Sequence, residues 1–397
     1  MKSVVDILHE KFVAKNLETD IEEPEVSAWL DFLDGLPEAK TNIEKAYNKY
    51  LCRMYFFPAL KRIIMNILGF FADIVAIMFA TISNKPLENI EKKCDTLILE
   101  KSRDVPDFSD VVPQELYCSY KEVIVEENYN KKFGLLCKET RTIWFSVIRR
   151  YPFKFFFHYW VYMELVAHSF FFHKYNPEAV AVYVNERNVA SPIITELYEK
   201  RGRKFISFMH GEYLLKLIQA HMKFSKYYVW DDTYIEMFRD VLKCEADFIA
   251  YKPKKLTKRW HLENSKPTYY CTYYFGDETE KTIYEIAKVF QQFENQGYRC
   301  KIRLHPRDIV HTELIKKVFE RSGIEIEDNK KMSLEESLAE TQYVVGMQTT
   351  VLFEALTEGK KIVIDDISDP KHFKNLQDRW YRLLKCDHAL LSELINQ

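Results

Sequence analysis

The hydrophobic pattern of this chain changes character near residue 94. Before it, residues 1–55 place apolar side chains at helical spacing among many charges, with Trp29, Leu30, Phe32 and Leu33 on one face. After it, short apolar runs alternate with helical stretches. The runs 96–99, 122–125, 179–184, 205–209, 227–230 and 248–251 predict strands, with helices at 191–200 and from about residue 213. The run 179–184, AVAVYV, is apolar at every position, as a parallel strand covered on both faces requires. Periodicity lapses over 252–266, where six basic residues (252, 254, 255, 258, 259 and 266) face Glu263; this reads as a linker. A second alternation follows, with strands at 268–275, 299–304, 324–326, 343–346 and 361–364. Helices are expected at 278–293, 312–321 and 351–358, and a last one at 384–395.

Strands alternating with helices define an α/β chain of Rossmann-like, doubly wound parallel sheets. The expected division is a helical region 1–93, a first domain 94–252 and a second 253–397. Ligands of such folds bind beyond the strand C-termini, here in a cleft that both domains face.

Two apolar segments interrupt the pattern. The stretch 63–82, IIMNILGFFADIVAIMFATI, reaches the length of a membrane span, but Asn66 and Asp73 inside it are costly in lipid. A core helix, an interfacial helix and a span are all open, and Asp73 argues against the span. The stretch 144–175 sets Arg149, Arg150 and Lys154 among Phe153, Phe155, Phe156, Phe157, Tyr159 and Trp160. Basic residues beside amphipathic rings suit a headgroup layer, and a core helix with a basic edge is the competing reading. Peripheral membrane contact through 144–160, and possibly 63–82, is the expectation.

Composition narrows the function. A formal charge of −2 gives no global pull toward nucleic acid, and a hydrophobic content of 47% is ample for two cores. The eight cysteines form no CxxC pair and read as reduced thiols of a cytoplasmic protein, not as zinc ligands. Charge breaks the N-terminal apolar positions too often for a signal peptide.

Candidate chemistry gathers where the buried strands stop. The stretch 342–366, QYVVGMQTTVLFEALTEGKKIVIDD, reads as strand, turn, helix, strand, with Thr349 and Thr350 at the helix start. A helix N-terminus at the C-terminal edge of a parallel sheet offers N–H groups and a positive dipole end to a phosphate; a plain N-cap is the simpler reading. Other strands end on Asn185-Glu186-Arg187, His210-Gly211-Glu212, Asp231-Asp232 and His305-Pro306-Arg307.

RLHPR at 303–307, the Thr349-Thr350 turn and Glu354 in FEALTEGKK together resemble the C-terminal half of GT-B glycosyltransferases of bacterial surface-polysaccharide synthesis. The similarity is to enzymes with CMP- or CDP-activated donors: bacterial sialyltransferases, capsular Kdo transferases and teichoic-acid glycerophosphotransferases. It implies donor binding by His305, Arg307, Thr349, Thr350 and Glu354. MHGEYLLK at 209–216 is similar to the HG motif of the glycerophosphotransferases, whose His acts near the acceptor. YVNERN at 183–188 sits where sialyltransferases hold an acidic base, without their acidic-acidic-Gly triplet. The resemblance spans 180–366 and implies no cofactor beyond the nucleotide-sugar substrate.

An imidazole of ordinary pKa accepts a proton at cytoplasmic pH more readily than a carboxylate, which ranks His210 first as base beside Glu186. Asn185, Arg187 and Glu212 are left to position the acceptor. No convincing DxD-like pair is present, so metal-independent transfer is expected, on the inner face of the cell membrane. Two alternatives stay open: a non-hydrolysing nucleotide-sugar epimerase, and a non-catalytic partner in a polysaccharide assembly complex.

Overall fold

The structure, a computed structural model, describes residues 25–82, 94–101, 111–127, 136–183, 188–209, 211–257, 259–276, 278–305, 311–329 and 331–396. The chain forms two compact units. One comprises Met1–His210 and Lys216–Tyr251, the other Gly211–Leu215 and Lys252–Gln397.

The first unit opens with helices α1 (Val26–Asp34), α2 (Asn42–Met54) and α3 (Ala59–Ile82). A capping box starts α2: the Thr41 hydroxyl accepts from the Glu44 N–H, and the Glu44 carboxylate accepts from the Thr41 N–H. Then follow β1 (Cys94–Lys101), α4 (Gln114–Cys118), β2 (Glu122–Glu127), α5 (Lys138–Arg150), α6 (Phe155–Lys174), β3 (Pro177–Tyr183) and α7 (Ser191–Glu199). The unit closes with β4 (Lys204–Phe208), β5 (Lys223–Val229), α8 (Asp232–Glu236) and β6 (Glu245–Ala250). Its six strands are parallel in the order β2-β1-β3-β4-β5-β6. Successive residues Ala179, Val180, Ala181 and Val182 are all buried, so both faces of the sheet are covered.

Two sequence expectations change here. No helix begins near residue 213; the chain runs irregularly to a short 3-10 turn at Leu217–Gln219. Its backbone is committed elsewhere: the Leu215 N–H donates to Arg379 O at 2.9 Å, and Arg379 Nε donates to Leu215 O at 3.2 Å. In the aromatic stretch 144–160 several of the large rings face the interior, while 149, 150, 152, 153 and 154 are exposed. Trp144 is fully buried with its ring 5.0 Å from that of Tyr162, α6 buries Phe156, Phe157 and Tyr159, and the Arg53 guanidinium lies 4.5 Å over Trp160. Phe145 and Phe153 are its exposed rings.

Asp73 of α3 also turns inward. Its Oδ2 lies 2.6 Å from His158 Nδ1, and His158 Nε2 lies 2.8 Å from Tyr151 O. Burial raises the Asp73 carboxyl above its usual range, and His158 offsets part of that. Among the described residues no helix is long and apolar enough to cross a membrane.

The second unit contains β7 (Tyr269–Tyr274), α9 (Glu280–Asn295), β8 (Cys300–Arg303), α10 (Thr312–Ser322), β9 (Glu325–Glu327), α11 (Leu334–Ala339) and β10 (Thr341–Gly346). It ends with α12 (Thr350–Thr357), β11 (Lys361–Ile364), α13 (Pro370–Asp378), β12 (Ala389–Leu390) and α14 (Leu391–Ile395). All six strands are parallel, in the order β12-β11-β10-β7-β8-β9. Counted within the unit this is 3-2-1-4-5-6, the order of dinucleotide-binding sheets. The single helix expected at 384–395 is instead a 3-10 turn, β12 and the short α14. Pairing of Val363 with Ala389 extends the sheet, and Asp366 fixes the start of α14 by accepting from the Ser392 N–H at 2.9 Å and hydroxyl at 2.6 Å.

Candidate functional site

A doubly wound sheet reverses direction at one point, where the loops leaving two adjacent strands go to opposite faces and leave a crevice. In the second sheet this point lies between β7 and β10. Two glycines set the spacing there. A Cβ on Gly346 would lie 3.1 Å from Thr349 Cγ2 and 3.3 Å from Tyr274 O, and one on Gly276 would lie 3.1 Å from Gln348 O. Both contacts are tighter than side chains normally make, so the close approach of the two loops depends on Gly at these positions.

The turn from β10 into α12 is pinned from beneath. The buried Tyr381 hydroxyl donates to Met347 O at 3.0 Å, and the Asp365 N–H donates to Gly346 O at 3.0 Å. Thr349 is extended and caps α12, its Oγ1 accepting from the Val351 N–H at 3.4 Å; Thr350 is the first helical residue. A hydroxyl pair therefore stands at a helix N-terminus on the switch-point edge.

His305 lies two residues beyond the end of β8, and β8 neighbours β7. Its carbonyl accepts from Asn329 Nδ2 at 2.9 Å, which fixes the backbone after the strand. The strand order thus sets the loops after β10, β7 and β8 side by side along one edge. Arg303 of the same motif is structural: it pairs with the buried Glu327, which also holds buried Lys301 at 2.6 Å. Glu354, one turn into α12, accepts from Arg259 Nη2 at 2.7 Å, and that guanidinium lies 4.2 Å over the Trp260 ring. Four residues on, buried Glu358 accepts the N–H groups of Arg259, Trp260 and His261 at 2.7, 3.0 and 2.9 Å. The helix thus clamps the basic linker, and Glu354 is part of the clamp.

Asn185, Glu186, Arg187, His210 and Arg307 lie outside the described residues. Glu212 lies within them, in the second unit. Both its carboxylate oxygens are out of water. Burial holds this carboxyl well above the usual range, and the Arg382 N–H and charge offset it in part. Asp231 caps α8, accepting from the Thr233 N–H at 3.0 Å.

Several features escape sequence reasoning. Gly276 and Tyr381 shape the switch-point turn without any motif of their own. A cavity of about 490 Å³ flanks α12, lined by Lys252, Leu256, Thr257, Phe353, Leu356, Thr357 and Arg382. None of the switch-point residues lines it. In the first unit, Glu164 of α6 accepts from Asn188 Nδ2 at 2.9 Å. Burial pushes its carboxyl up to about 7, against the smaller opposing effects of Asn188 and Arg53. Among the described residues no group of three or more His, Cys, Asp or Glu side chains is placed to hold a metal ion.

No family model and no curated protein matches the chain. Solved structures similar to it include the wall teichoic acid polymerase TagF, at 11% identity and a TM-score of 0.42 over 86% of this chain and 88% of that one. A calicheamicin glycosyltransferase is similar at 11% identity and a TM-score of 0.39, covering 75% of this chain and 86% of its own. A glycosyltransferase involved in avilamycin A biosynthesis gives 11% identity and a TM-score of 0.33 over 72% and 88%. These neighbours are GT-B glycosyltransferases. At these values the likeness adds nothing to the topology visible in the two sheets themselves.

The Glu164 environment has a pH signature. A carboxyl whose folded pKa is raised stabilises the fold at pH values below its unfolded pKa, and that contribution is lost as pH rises through the folded value. Wild type is therefore expected to lose stability between about pH 4.5 and 7 in part through this group. Glu164→Gln should flatten that segment of a urea-denaturation pH profile, and an unchanged slope would contradict this account of Glu164.

Proposed function

We propose that the protein is a glycosyltransferase that moves a sugar, or a polyol phosphate, from a CMP- or CDP-linked donor. The acceptor is a surface polysaccharide or lipid-linked chain, met at the inner face of the cell membrane. The observation that carries this reading is the Thr349-Thr350 turn at the N-terminus of α12, on the switch-point edge of a 3-2-1-4-5-6 parallel sheet. The donor occupies the second unit, its phosphate against that turn and its nucleoside toward His305, Arg307 and Glu354. Arg259 holds the Glu354 carboxylate in one orientation, which suits it to accept from ribose hydroxyls.

The chemistry needs two things. As the bond from the transferred group to the donor phosphate breaks, charge builds on the leaving oxygen, and fixed N–H groups and hydroxyls stabilise it without a metal. The acceptor hydroxyl must also lose its proton as its oxygen forms the new bond. His210 takes that proton, and Glu186 with Asn185, Arg187 and Glu212 orients the acceptor. The nucleotide leaves with the electron pair of the broken bond.

Binding only the folded state raises its stability, so CMP-, CDP-, UDP- and GDP-linked ligands can be ranked by thermal shift. The cytidine ligands are expected to rank first. Thr349→Ala with Thr350→Ala should weaken donor binding by about 1 to 3 kcal/mol, the range of charge-assisted hydrogen bonds. An unchanged affinity in the double variant would sink the donor assignment. In turnover, His210→Ala should lower kcat by about two to four orders of magnitude while donor affinity and Tm hold. Retained turnover in His210→Ala, with loss in Glu186→Gln, would reverse the two roles.

A further inference from the structure

Helix α3 is built inside out. Its inward face carries the polar groups: Asn66 Nδ2 donates to Phe153 O at 3.1 Å, Asn66 Oδ1 accepts from the Phe156 N–H at 3.3 Å, and Asp73 meets His158. Met65 and Ala76 are buried on the same side. Gly69 lets the helix press directly on the start of α6, since a Cβ there would lie 2.5 Å from the Phe156 nitrogen. These contacts fix the rotation of α3 about its axis.

What that rotation leaves outside is apolar. Leu60, Ile63, Ile67, Phe70, Phe71 and Ile74 are 69, 58, 53, 43, 60 and 42% exposed. The helix has 24 residues, about 36 Å at the usual rise, so the stripe is long and straight. A soluble surface seldom carries a contiguous apolar patch of this size without an occupant. Phe153, 74% exposed, lies in the turn whose carbonyl accepts from Asn66 of α3.

Charge selects the occupant. Asp73 is the only acidic residue between 59 and 78, and it is buried. Arg62 at the start of the helix, and Arg149 and Lys154 around Phe153, are exposed cations. An apolar stripe flanked by cations and free of exposed carboxylates suits the headgroup boundary of an anionic bilayer. A second copy would meet this patch with the same cations and no counter-charge.

We infer that the outward face of α3, together with Phe153 of the neighbouring turn, is a preformed docking surface that lies in the plane of an anionic lipid leaflet. This deepens the membrane part of the proposed function and locates it on an element the aromatic stretch only supports from behind. The helix does not fold on binding, because Asn66, Gly69 and Asp73 hold it in place beforehand.

The test is co-sedimentation of the full chain with vesicles of phosphatidylglycerol and phosphatidylcholine, and with phosphatidylcholine alone. Wild type is expected to pellet with the anionic vesicles. Ile67→Ser with Phe71→Ser and Ile74→Ser should lower the partition coefficient at least tenfold at an unchanged Tm. Arg62→Glu with Lys154→Glu, which leaves the apolar stripe intact, should abolish the preference for anionic vesicles. Wild type remaining in the supernatant, or the triple variant binding as wild type does, would overturn the inference. So would a wild-type dimer in sedimentation that the triple variant breaks without any lipid effect. Nucleotide thermal shifts on the same preparations report on the donor reading separately, so either reading can fail while the other stands.

Discussion

A parallel sheet covered on both faces leaves polar chemistry only one place to go. In the first sheet Ala179 to Val182 are buried in succession, and in the second Val344, Val345, Ile362, Val363 and Ile364 are buried likewise. These runs are closed to water on both faces, so functional groups collect where the strands stop. Many of the groups found there serve the fold itself. Asp365 is fully buried at the end of β11, where it accepts from the N–H groups of Ile367 and Ser368 and from the Tyr273 hydroxyl. Burial raises its pKa, and those donors offset part of the rise. The Thr349-Thr350 turn differs because its own supports, Tyr381 and Asp365, engage backbone carbonyls, while Thr349 caps α12.

The same helix that presents this turn also anchors residues 259–261 of its own unit. Glu358 takes three backbone N–H groups from 259–261, and Glu354 takes Arg259. Each such bond contributes on the order of 1 kcal/mol net, and leaving buried Glu358 without its donors costs more than making the bonds gains. One short helix therefore couples the position of the linker to the geometry of the crevice. The acidic residues of FEALTEGKK serve both ends of that coupling.

Much of this could be read from the chain. The apolar runs mark the strands because they are too short for helices and stop at polar or glycine breaks. The Thr349-Thr350 turn and Gly346 were legible because strand, polar break and helix follow one another within ten residues. What could not be read depends on distant partners. The chain after Gly211 looks helical until Arg379 claims the Leu215 backbone. The stretch 144–160 looks interfacial because basic and aromatic residues alternate there. Nothing local says that Tyr162 and Arg53 cover its tryptophans while α3, with its apparently disqualifying Asp73, takes the exposed position. Glu164 carries no motif at all, since its perturbation comes from burial in the fold, which the Asn188 hydrogen bond only partly offsets.

The central claim is that a nucleotide donor sits on the switch-point edge of the second sheet. Hydrogen–deuterium exchange of the full chain, with and without a saturating CDP-linked donor, tests it most directly, because amide protection reports where a ligand stabilises the backbone. The account predicts slower exchange at 275–276 and 347–352 on adding the donor, with little change at 252–257 beside the α12 cavity. Protection confined to 252–257, or to the first sheet, would contradict it.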